Sequence, residues 1–313
     1  MFIEQGIKKE NEFWRYILGS VVVIFASFLG QIPLGLVIFV DAFKKGDMPT
    51  TQEDMMKYLN SNLSLFLMLL SFAFALFGLY LVIKYFHRQT FLSVTTSRNK
   101  VDWNRIFFSF GVWTIFTVVS TVAVFYLEPT EMVWNFKPIP FMILVLISIV
   151  MIPIQTSTEE YVFRGYLMQG FGNLAKNRWF PLIMTSVIFG GMHYFNPEVA
   201  KMGNLVMVYY IGTGLFLGII TLMDDGMELA LGFHAANNLI GALLVTSDWS
   251  VLQTNSIFKD VSDPSLGFDV LLPVVLVFPV MLYVFSKKYN WKNWKEKLTG
   301  DIVTNDSIHT TNE

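Results

Sequence analysis

Long apolar runs separated by short polar stretches set the pattern of this chain. Eight of them read as helices for a bilayer whose hydrocarbon core, about 30 Å thick, takes about 20 apolar residues at 1.5 Å each. They are Arg15–Val40, Leu63–Tyr85, Ile106–Leu127, Ile139–Gly172, Phe180–Tyr194, Leu205–Met223, Glu228–Thr246 and Val270–Phe285. Two depart from the expected length. The fourth would be about 50 Å long as one helix, so it has to tilt, break at Pro153 or run partly along the interface. Thr156 and Ser157, followed three residues on by Glu159 and Glu160, look like a capping box and suggest a fresh helical start there. The fifth run is short, and Asn196-Pro197 is expected to close it. The polar stretch 300–313 lacks apolar periodicity and is expected to be a disordered tail. That leaves residues 1–299 as one transmembrane helical domain, with its core motifs over 156–246.

Composition sharpens the class. The 313 residues are 54% hydrophobic and 15% charged, against about 25% charged for soluble domains, which predicts an all-α polytopic membrane bundle of about eight helices. There is no cysteine, so disulfides, thiolate metal sites and a cysteine nucleophile are excluded. A formal charge of −2 gives no general attraction to nucleic acid. No cleavable signal peptide is expected, because the first apolar run, Ile17 to Val40, far exceeds an h-region of roughly 7–15 residues. Placing the N-terminus inside collects fifteen lysines and arginines on the inner side against six outside, with Arg164 set aside as intramembrane. The expected topology is therefore a multi-pass cell-membrane protein with both termini cytoplasmic. The acidic loop Asp224-Asp225-Gly226-Met227-Glu228 falls inside against the trend, but acidic residues weigh little in that rule.

Candidate chemistry comes from polar groups inside these runs. Glu159, Glu160 and Arg164 lie within the fourth, where a charge at the bilayer centre costs roughly 2.5–3.5 kcal/mol on insertion scales. On a helix Glu160 and Arg164 share a face at i,i+4 and can neutralise each other. Glu159 points about 100° away and finds no partner from its own segment. Only four histidines occur. His87 and His309 fall in a loop and the tail, where solvent exposure is expected, whereas His193 and His234 sit within apolar runs. Phe189 shares a helical face with His193, and Asn238 with His234. Intramembrane ionisable groups face the bundle interior, so the three clusters are expected to converge. Gly190-Gly191, Gly212, Gly214 and Gly218 are expected to let helices approach closely. A bland reading takes the same groups as interhelical glue or a proton path.

Glu159-Glu160-x-x-x-Arg164, then Phe189-x-x-x-His193, then His234-x-x-x-Asn238 resembles the CPBP family, the CAAX proteases and bacteriocin-processing (Abi) proteins. The three motifs stand in the family's order and span about 80 residues. The resemblance implies an eight-helix intramembrane endopeptidase whose cavity opens toward the cytosol. It assigns water activation to Glu159 and His193, oxyanion stabilisation to His234 and Asn238, and a structural ion pair to Glu160 and Arg164. Its substrates would be membrane-associated peptides or lipidated, CAAX-like proteins. Some members carry the label metalloprotease, and Glu159, His193 and His234 would supply a His₂Glu set of the kind catalytic zinc takes. No cofactor is favoured, since Glu160 is better explained as the partner of Arg164 than as a base. The rival functions are a proton-coupled transporter and a non-catalytic binder of membrane segments, such as a pseudoprotease or a bacteriocin immunity protein. Serine and aspartyl motifs of other intramembrane proteases are missing from the sequence. Depth leaves one tension: Glu159 and His193 count to about 20 Å from their inner helix ends, but His234 to only about 9 Å.

Overall fold

A computed structural model describes residues 1–7, 11–46, 48–51, 54, 58–263 and 270–302. Each of the eight apolar runs falls on a helix: α1 Phe13–Lys45, α2 Ser61–Phe86, α3 Trp103–Leu127, α4 Pro138–Ala175, α5 Trp179–Met192, α6 Val206–Asp224, α7 Glu228–Leu244 and α8 Phe278–Tyr289. The chain is an all-α polytopic bundle. Five of the helices, α1, α2, α3, α4 and α6, are long and apolar enough to cross a membrane, while α5 is apolar but has only 14 residues.

Helix α7 forms the centre of the bundle, packed between α3 and α4. It can do so because Gly232 has no side chain: a Cβ there would lie 2.1 Å from the Ile106 carbonyl oxygen of α3. Beside it the rings of Trp113, Phe216, Phe233 and Phe278, one each from α3, α6, α7 and α8, make a buried aromatic cluster. In it Trp113 and Phe233 stand 4.3 Å apart, and Phe216 and Phe278 stack at 4.7 Å. Large apolar side chains of α1 and α3, such as Phe25, Phe28, Phe107 and Ile115, stay exposed on the outer wall, as lipid contact requires.

Several expectations for α4 and α5 are corrected. Helix α4 runs through Pro153 without a break. Thr156 does not cap a new helix; its hydroxyl donates back to the Ile152 carbonyl at 3.1 Å. The irregularity comes later, as a π-helical stretch, Tyr161–Leu167, directly after the two glutamates. Such stretches concentrate at functional sites. Asn196-Pro197 does not close α5 either. The helix ends at Met192, and Pro197 opens a short helix, Pro197–Met202.

At one end of the bundle the N-terminus, the α2–α3 loop, the α6–α7 loop and the segment after α8 meet. Gln5 donates to the Thr96 carbonyl, the Met227 amide to the Thr95 carbonyl, and the Ile302 amide to the Lys176 carbonyl. The acidic loop is neutralised there. Arg98 lies 3.0 Å from both Asp224 and Glu228, Arg105 also pairs with Asp224, and Lys297 reaches Asp225 at 2.7 Å. Its place among basic loops thus has a local electrostatic reason. Gly300 to Ile302, the start of the expected tail, are fixed: Gly300 accepts from the Arg178 amide and Ile302 is buried. The rest of that tail, with His309, lies outside the described residues, as do Lys8, Lys9 and Lys57 of the charge count.

The other end carries a small sheet that periodicity did not announce, because its strands have three residues each. β1 Met132–Trp134, β2 Val245–Ser247 and β3 Phe258–Asp260 order as β1-β3-β2. The β1/β3 pair is antiparallel and the β2/β3 pair parallel. His87, expected in solvent, is buried beyond the end of α2, with Asn11 and Tyr166 each 3.0 Å from one ring nitrogen. Gly190 does permit a close approach, to Ile211 of α6, but Gly191 faces open space.

Candidate active site

Five helices supply the site. Gln155, Glu159, Glu160 and Arg164 come from α4, Phe189 from α5, Tyr210 from α6, His234, Asn237 and Asn238 from α7, and Trp113 from α3. His193 caps the C-terminal end of α5 rather than lying inside it.

The expected ion pair forms. Arg164 Nη1 lies 3.2 Å from Glu160 Oε1, both side chains wholly buried, and Nη2 donates to the Gly214 carbonyl at 3.2 Å. The Phe189 ring covers the guanidinium at 4.3 Å, a cation–π contact that offsets part of the desolvation. His234 joins this pair, with Nδ1 2.7 Å from the same Glu160 oxygen. Its other nitrogen, Nε2, faces Glu159 Oε2 at 3.6 Å. One imidazole therefore spans two carboxylates that leave their helix about 100° apart.

Helix α7 starts beneath the loop after α2, with Glu228 and Leu229 wholly buried. His234 is thus already well inside the bundle six residues from the start of its helix.

Glu159 is not without a partner from its own segment, contrary to expectation. Gln155, one turn earlier, donates from Nε2 to Glu159 Oε1 at 2.6 Å. The Glu159 side chain is 15% exposed, against 0% for Glu160 and Arg164. Its Oε2 has no hydrogen-bond partner, and neither has Glu160 Oε2. Asn238 reaches Glu159 only through Gln155, donating to Gln155 Oε1 at 3.0 Å.

His193 is held separately. Its Nδ1 lies 2.8 Å from the Phe189 carbonyl, and its ring stacks on Tyr210 at 4.4 Å. A carbonyl only accepts, so Nδ1 donates to it, and in the neutral ring the lone pair lies on Nε2. The Phe189 ring stands between the histidines, 4.9 Å from His193 and 5.9 Å from His234. Of the four expected catalytic groups, then, Glu159 and His234 face each other directly, Asn238 joins through Gln155, and His193 through Phe189.

The metal reading finds no gathered donor set. Among the described residues no three His, Asp or Glu side chains are placed to hold an ion, so Glu159, His193 and His234 as they stand do not fit a His₂Glu centre. Sequence reasoning missed Gln155, Asn237, Tyr210 and Trp113. The i−4 spacing of Gln155 from Glu159 could have exposed the first. Nothing local marks Trp113, whose place depends on how α3 packs on α7.

A comparison with family models matches residues 138–240 to Rce1-like, type II CAAX prenyl endopeptidases. The site-bearing segment is thus similar to that family. The match runs from the start of α4 into α7 and takes in all seven named residues of the three motifs, in agreement with the CPBP resemblance. It points to membrane protease activity in general. Among curated proteins, the uncharacterized protein YyaK of Bacillus subtilis (strain 168) is 29% identical over 248 residues, covering 78% of this chain and 82% of that protein. No solved structure matches.

Proposed function

We propose that this chain is an intramembrane endopeptidase that hydrolyses a peptide bond of a membrane-associated or lipidated, CAAX-like protein or peptide. Glu159 is the general base, and the single observation that carries this is its Oε2: buried, without a hydrogen-bond partner, and facing an imidazole. A positioned base of this kind is worth about 10²–10⁴-fold. The lone pair on His193 Nε2 suits it to share the proton drawn from the attacking water. Asn238 commits one amide hydrogen to Gln155 and retains a second for an oxyanion. His234 has its Nδ1 hydrogen on Glu160, so it can donate to an oxyanion from Nε2 only as an imidazolium. Glu160 and Arg164 hold that ring in place. The bundle sits in the cell membrane with both termini cytoplasmic, which puts the basic loops on the inner side.

The test is cleavage of prenylated and unmodified membrane peptides by purified protein, with Glu159→Ala and His193→Ala as variants and with or without a chelator. Loss of turnover of at least about 10²-fold in both variants, with unchanged unfolding temperatures, supports the reading. Equal turnover in both variants removes Glu159 and His193 from the chemistry. Chelator-sensitive turnover would replace the metal-free mechanism.

A further inference from the structure

The three carboxamides around Glu159 form a chain with a definite direction. Trp113 Nε1 donates to Asn237 Oδ1 at 3.1 Å, Asn237 Nδ2 to Asn238 Oδ1 at 3.0 Å, Asn238 Nδ2 to Gln155 Oε1 at 3.0 Å, and Gln155 Nε2 to Glu159 Oε1 at 2.6 Å. Carboxamide oxygen and nitrogen are placed by their surroundings, and here both ends fix the choice. An indole nitrogen is donor only, and an ionised carboxylate is acceptor only. Turning over any one amide would set two donors or two acceptors against each other on each side of it. Tyr209 also brings its hydroxyl to Asn237, but a hydroxyl serves either orientation and does not decide it. Gln155 and Trp113 are buried, where such chains polarise one another and strengthen.

We propose that Trp113, Asn237 and Gln155 are positioning residues that orient Asn238 and the Glu159 carboxylate together through this one-way relay. As a claim about catalysis it rests on the endopeptidase reading above. The relay ties up Oε1 of Glu159 and so leaves Oε2 as the carboxylate oxygen without a hydrogen-bond partner. It also aims the free amide hydrogen of Asn238 by fixing the other one. The base and the oxyanion donor of that reading therefore share one support, which enters from α3 through Trp113.

The experiment has one arm that needs no substrate. The indole nitrogens of the protein, eight tryptophans in all, are labelled with ¹⁵N in detergent micelles, and the Trp113 resonance is assigned by its loss in Trp113→Phe. The relay predicts that this resonance moves in Gln155→Met and in Glu159→Ala while the others hold their positions. A Trp113 resonance unmoved in both overturns it. The second arm is kinetic. Gln155→Met keeps shape and Trp113→Phe leaves a smaller ring in the aromatic cluster, which lowers the unfolding temperature. Each deletes one link and lowers kcat by on the order of 10-fold to 100-fold, as misplaced catalytic groups do, with KM unchanged, and in Gln155→Met with the unfolding temperature unchanged as well. Full kcat in both overturns the positioning role. If the wild-type protein cleaves nothing, the endopeptidase reading fails, and the resonance arm alone decides the relay.

Discussion

His234 Nδ1 lies 2.7 Å from Glu160 Oε1, the oxygen that also takes Arg164 Nη1 at 3.2 Å. Glu160 is thus the shared acceptor of a buried cation and of the ring facing Glu159. Its pairing with Arg164 fixes where His234 can stand, and this links the structural half of the first motif to its chemical half.

Removing one partner of a buried pair leaves an uncompensated charge, which typically costs 3–5 kcal/mol. Arg164→Met should therefore lower stability by about that amount, read as a fall in the unfolding temperature of the purified protein in detergent. The double variant Glu160→Leu/Arg164→Met should recover much of the loss, since no lone charge remains. A double variant as unstable as the sum of the two single ones would show that the two side chains are not coupled.

Much of the site was legible because helical spacing converts sequence into faces. Glu160 with Arg164 follows from i,i+4 alone, and so does the pairing of His234 with Asn238 on one side of α7. The convergence of α4 and α7 was legible only as the expectation that buried polar groups meet. What escaped depended on packing between helices or on chain reversal. Trp113 is one apolar residue among many until Gly232 lets α3 close on α7. The π-helical stretch after Glu160 has no periodic signature, and the three-residue strands are too short to show alternation. His87 was misjudged because loop placement was equated with exposure, whereas Asn11 and Tyr166 supply a partner for each ring nitrogen.

The adjacent glycines of α5 separate packing from propensity. A Cβ on Gly190 would lie 2.4 Å from Ile211 Cγ1 and 2.9 Å from the Ile211 backbone nitrogen, whereas one on Gly191 meets nothing within 4 Å. Gly190→Ala should cost about 1–3 kcal/mol through overpacking, because the backbone of α6 has to shift. Gly191→Ala should be neutral or should stabilise by up to about 1 kcal/mol from helix propensity. Thermal unfolding of the two variants side by side checks this. Equal losses would mean that the α5–α6 contact is not the tight one described.

His87 should make the protein acid-sensitive. Asn11 donates from Nδ2 to the Gly6 carbonyl at 2.9 Å, so its Oδ1 faces His87 and Nδ1 carries the ring proton. His87 Nε2 then accepts from the Tyr166 hydroxyl at 3.0 Å. The neutral ring has both nitrogens satisfied, and burial first, with nearby Arg15 second, pushes its pKa down from 6.5 to about 4. As pH falls below about 6.5 the unfolded chain takes up a proton that the folded chain refuses until about 4. His87 thus contributes full stability above the upper value and loses it progressively toward the lower one. The wild-type unfolding temperature should fall across that window. In His87→Gln, which has no proton to gain, the fall should be shallower, and the difference between the two curves isolates this imidazole from the carboxylates of the protein. Parallel curves would mean that His87 is protonated in the folded state, with the Tyr166 hydroxyl turned to the Arg15 or Tyr16 carbonyl, each 3.3 Å away.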